Sequence, residues 1–73
     1  MNNKWLDATV ITVDPSGQAT QGKKYHKIQN VESRLQKFES FAKGKFRTAT
    51  HVNYYYRDKP AGESFAFQRP LSI

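Results

Sequence analysis

The chain predicts an α+β fold: four strands and one helix in the order ββαββ, a mostly antiparallel sheet with the helix packed on one face. Three observations carry this. Stretches of β-forming residues stand on either side of turn signals near both ends of the sequence. A single segment between them has apolar residues at helical spacing. The 73 residues hold no internal repeat or low-complexity linker. A chain this short makes one domain, 1–73, whose core holds about 10 to 15 side chains. There is no cysteine, so neither disulfides nor a cysteine metal cluster can reinforce that core.

Residues 4 to 13, KWLDATVITV, open the fold. Trp5, Ile11 and Val13 share one parity and Leu6, Ala8 and Val10 the other, so both faces are partly apolar, as suits an inner strand. Asp14-Pro15-Ser16-Gly17 is a turn, because proline presets one central position and glycine tolerates the exit geometry. A more polar strand follows from Ala19 to Ile28, with Gly22 marking a bulge or break. Residues 4–28 therefore read as a hairpin.

A helix is expected over 31–43. Asn30 supplies the cap, Glu32 sits where the dipole favours an acid, and Gly44 stands ready to end it. Val31, Leu35, Phe38 and Ala42 form its apolar stripe. Glu32, Glu39 and Lys43 lie on one flank, with Glu39 and Lys43 spaced as an i,i+4 pair. Arg34, Lys37 and Phe41 lie on the other, either as a binding edge or as a phenylalanine finishing the core beneath snorkelling cations.

The C-terminal hairpin spans 46–69. Its first strand, 46–57, places Phe46, Thr48, Thr50, Val52, Tyr54 and Tyr56 toward the helix. Arg47, Ala49, His51, Asn53, Tyr55 and Arg57 face away. Residues 58–62 make the connection. The returning strand, 63–69, carries Phe65 and Phe67 on one face, beside Tyr54 and Tyr56, and Ala66 and Gln68 on the other. Pro70 ends it, and residues 70–73 form a tail.

Charge is concentrated. Between Lys23 and Arg47 stand eight Lys and Arg against only Glu32 and Glu39, a surplus equal to the net charge of the whole chain, +6. Such asymmetry points to a polyanion surface, or to solubility alone. Tyr55 is the tyrosine that packing does not explain. It shares a face with His51, Asn53, Arg47 and Arg57, the mixture of ring and cations that single-stranded nucleic acid requires. The strand spacing places no aromatic pair across two neighbouring strands, which weakens that signal.

Catalysis is not expected. His26 and His51 could meet only if their strands were neighbours, and two separated histidines make no metal site. The four glycines stand singly, so no phosphate-cradling loop exists, and no cofactor is implied. Apolar runs are too short to cross a bilayer, and the N-terminus lacks a signal-peptide core. These features predict a mature cytoplasmic protein without membrane association.

The leading expectation is a nucleic-acid-binding protein, largely indifferent to sequence and favouring single strands. Lys23, Lys24, Lys27, Lys43, Lys45 and Arg47 would hold phosphates, with Arg34 and Lys37 along the helix edge and Arg57 beside the tyrosine. Tyr55, His51 and Phe41 would meet bases or sugars. The alternative is an accessory or inhibitor module docking its basic, tyrosine-containing face on an acidic protein surface. Open sheet edges also suit pairing with a second copy as a homodimer.

Overall fold

The computed structural model describes residues 4–71. These form β1 (Trp5–Val13), β2 (Ala19–Gln29), helix α1 (Glu32–Lys45), β3 (Ala49–Tyr56), a short 3-10 turn at Ala61–Glu63 and β4 (Phe65–Pro70). The ββαββ order is as the sequence predicts. All neighbouring strands are antiparallel, in the order β2-β1-β3-β4, so β1 lies inside the sheet. The Cα envelope measures 40 × 27 × 15 Å. That thickness accommodates one helix on one face of the sheet and leaves the other face open.

Leu6, Ala8 and Val10 of β1, Val52 and Tyr54 of β3, and Leu35 and Ala42 of α1 form the buried cluster. Phe38, Tyr25, Phe46 and Phe67 pack against it. Each large side chain taken out of water contributes roughly 1.5 to 3 kcal/mol. Ile11 and Thr9, on the opposite parity of β1, are also buried. An inner strand shields its open face through longer side chains on its neighbours: Lys24 and Asn53 are the partners of Thr9, and Gln21 and His51 those of Ile11.

The first turn forms as its residues dictate. Gly17 takes φ +88°, and the Asp14 carboxylate accepts bonds from Ser16 N–H, Ser16 Oγ and Gln18 N–H. Those bonds, led by the Ser16 hydroxyl, hold the Asp14 carboxyl below its usual range.

The strand β2 carries two bulges. Its register against β1 shifts between Thr9 and Ile11 and again between Leu6 and Ala8. Gly22 occupies the first, as expected, because a Cβ there would stand 2.7 Å from the Val10 carbonyl oxygen. Lys27 occupies the second in a left-handed conformation, φ 62°.

Five expectations need correction. The helix begins at Glu32 with Val31 as its N-cap residue and no side-chain cap. Asn30 instead donates its backbone N–H to Lys4 O, extending the β1–β2 ladder. Val31 is 45% exposed, so it lies outside the apolar stripe's buried part. Gly44 stays within the helix, which stops only when Phe46, donating to Ala42 O, turns down onto the core. In the C-terminal hairpin, residues 46–48 are turn rather than strand. Pro70 belongs to β4, and Leu71 N–H donates to Thr50 O, so the part of the tail within the described residues is held down. Residues 72 and 73 lie outside them.

Candidate nucleic-acid interface

The helix side of the sheet carries a polar network that no local pattern announces. Tyr54 Oη donates to Glu39 Oε2 at 2.8 Å, and Arg69 reaches both Glu39 and Glu32. Burial and then the Glu39 carboxylate push the Tyr54 phenol far above its ordinary value. The Arg69 guanidinium holds the Glu32 carboxyl low. Glu39 thus bonds to Tyr54 and Arg69 rather than pairing with Lys43. Arg69 is held between two carboxylates.

The open face is arranged differently. The register of β3 against β4 shifts between Tyr54 and Tyr55, so Tyr54 pairs with Phe67 but Tyr55 pairs with Phe65. One residue, Ala66, is the surplus. It sends the two phenylalanines to opposite faces, contrary to the expectation from simple alternation. Tyr54 and Phe67 meet on the helix side with centroids 5.0 Å apart. Tyr55 and Phe65 meet on the open side at 5.8 Å, edge to face. An aromatic pair therefore does span two neighbouring strands on the uncovered face. Phe65 is the most exposed large apolar residue among those described, at 54%.

Polar groups surround this pair. The Lys24 ammonium lies 5.9 Å from the Tyr55 centroid, and that of Lys59 lies 5.9 Å from Tyr56. Lys24, Tyr55, Arg57 and Lys59 border a depression of about 480 Å³ with Thr9 and Gln21 among its walls. Gln68 Nε2 donates to Asn53 Oδ1 at 3.0 Å across the same face. Asp7 supplies the opposing charge: its Oδ1 lies 3.3 Å from Arg57 Nε, His26 Nδ1 and the Lys27 backbone N–H.

The remaining cations fall into separate groups. Lys27, Arg34 and Lys37 line a cleft between α1 and the end of β2, together with Phe41 and Trp5, and Lys23 lies over Tyr25 nearby. This is the helix side, across the sheet from Tyr55. Lys43 borders a depression beside Pro70 and Leu71, Lys45 covers Phe46, and Arg47 is exposed in the turn before β3. The basic residues between Lys23 and Arg47 do not make one path.

No family model, curated protein or solved structure matches this chain.

The two histidines are not brought together. Strand β1 separates β2 from β3, with His26 beside Asp7 and His51 opposite Ile11, about 13 Å apart along the strand. The His51 Nδ1 instead lies 3.0 Å from Thr50 Oγ1. Among the described residues no helix is long and apolar enough to cross a membrane.

Sequence reasoning missed Phe65. An odd number of residues between two aromatics normally places both on one face, and only the pairing register reveals the bulge. The missed Asp7 cluster has the same origin, since Asp7 lies in β1, His26 in β2 and Arg57 in the turn just after β3.

Proposed function

We propose that the protein binds single-stranded nucleic acid across the open face of its sheet. The observation that carries this reading is the Tyr55–Phe65 pair on adjacent strands, with Phe65 exposed and the half-buried Tyr55 sharing a depression with Lys24 and Lys59. Phe65 offers the face on which a base stacks, while Tyr55 holds that ring edge-on. Lys24 and Lys59, with Arg57 partly neutralised by Asp7, meet phosphates. His51, Asn53 and Gln68 stand within the same face, where they reach sugar or base edges. The role is one of binding rather than catalysis, and the cysteine-free composition suits the cytoplasm.

Labelled single-stranded DNA, single-stranded RNA and duplex DNA, titrated by fluorescence anisotropy, test the proposal. With two to three phosphate contacts, the single-strand affinity falls roughly 7- to 20-fold between about 50 and about 200 mM salt. Phe65→Ala weakens it roughly 5- to 150-fold, the effect of one lost stacking platform. Duplex DNA binds more weakly, because its bases are not presented to the sheet. Absence of single-strand binding at the lower salt discards the reading.

A further inference from the structure

The cleft between α1 and β2 has a composition unlike that of the open face. Its floor is apolar, from Ile28, Phe38 and Phe41, and Trp5 closes one end. Its cations are Lys27, Arg34 and Lys37, and no carboxylate lines it among the described residues. Its volume is about 430 Å³. Phe41 remains 46% exposed although it belongs to the ring cluster of Tyr25 and Phe38. Among the described residues, Arg34 and Lys37 enter no ion pair, in contrast to Arg57 and Arg69.

Phe41 has two rings against it where Phe65, among the described residues, has Tyr55 alone, which leaves Phe41 less free surface for a base. Phe41 meets Tyr25 edge-on, with 85° between their planes, and Phe38 crowds it from another direction. The Trp5 ring carries the Lys27 ammonium 5.6 Å from its centroid. What remains is an apolar trough with a positive rim, which matches aliphatic or aromatic side chains alternating with carboxylates.

We propose that this cleft is a docking site for an acidic amphipathic segment of a partner protein, its apolar side chains on Phe41 and Ile28 and its carboxylates on Arg34 and Lys37. The site lies across the sheet from Tyr55 and Phe65, so it operates independently of the open face. The protein then carries a second ligand while its sheet is engaged.

Trp5 is the chain's single tryptophan and stands in the cleft, so its emission reads occupancy directly. The probe is a peptide of about a dozen residues alternating glutamate with leucine and phenylalanine. It produces a saturable blue shift. An Arg34→Glu/Lys37→Glu variant weakens the response about tenfold, and Phe41→Ser weakens it similarly, with circular dichroism and the melting temperature recorded for each. Phe65→Ala leaves the titration unchanged, which separates failure of this site from failure of the open face. A peptide with lysine in place of glutamate gives no shift. The inference is overturned by an absent shift, an equal response to the lysine peptide, an unaffected charge-reversal variant, or displacement of the peptide by a single-stranded oligonucleotide.

Discussion

Tyr54 and Tyr55 are adjacent in sequence and belong to two different chemical settings. Tyr54 is fully buried, bonded to Glu39 and packed on Phe67. Tyr55 lies on the open face with Lys24 and Phe65. On the helix side, the phenol, the two glutamates and Arg69 bind one another. On the open side, rings and ammonium groups meet without closing into such a network. The contrast teaches that tyrosine counts alone do not tell a ring held inside the fold from one left at its surface.

The comparison is sharpest in paired truncations. Tyr54→Ala removes a fully buried ring and costs about 3 to 5 kcal/mol, a large fraction of the stability of so short a chain. Urea denaturation finds that variant largely unfolded. Tyr55→Ala costs less than about 1 kcal/mol in the same experiment, the worth of a cross-strand aromatic pair. Equal losses from the two substitutions would break the distinction.

Gly22→Ala acts on the sheet itself. Its new Cβ would meet the Val10 carbonyl oxygen, and β1 and β2 must part to admit it. A loss of about 1 to 3 kcal/mol follows, read from the urea midpoint at constant slope.

Tyr54→Phe keeps the ring and removes only the phenol's bond, costing about 1 to 2 kcal/mol near neutral pH. Its pH dependence separates the helix side from the open side further. The Tyr54 phenol is raised above its ordinary 10.0 in the folded protein. The folded state therefore keeps a proton that the unfolded chain releases as pH rises. Stability from this group is complete below pH 10.0 and declines above it. The decline is smaller in Tyr54→Phe when melting is followed into the alkaline range.

The smallest effect belongs to Tyr25. Its hydroxyl is buried and, among the described residues, has no hydrogen-bond partner. Tyr25→Phe keeps the contacts with Phe38 and Phe41 and removes an unsatisfied group, so it is neutral or stabilising by up to about 1 kcal/mol. A clear loss of stability would show that the hydroxyl is engaged.

Much of this fold was legible because local signals agreed with one another. Pro15 and Gly17 mark the first turn, the two-sided apolar pattern of residues 5–13 marks an inner strand, and Leu35, Phe38 and Ala42 mark the helix. What was illegible arose from pairing between distant segments. The surplus Ala66 exchanges the faces of Phe65 and Phe67, and nothing within residues 65–70 announces it. Asn30 reads as a cap because its side chain suits that role, yet its backbone is needed by Lys4. The basic region was legible as charge but not as geometry: Lys23 lies over Tyr25 on the helix side, while its neighbour Lys24 lies over Tyr55 on the other. Alternation along one edge strand divided a continuous charge run between two surfaces.

The central position of β1 also sets an order of events during synthesis. Leu6 pairs with Ile28 on one side but with Tyr56 on the other. The first hairpin is complete once Gln29 has emerged, whereas the second neighbour of β1 follows only when β3 does. At roughly 5 to 20 residues per second, this leaves an interval on the order of seconds. During it the nascent chain presents the bare edge of its most apolar strand. The growing polypeptide therefore passes through a brief window of vulnerability to neighbouring chains, which the arrival of β3 closes.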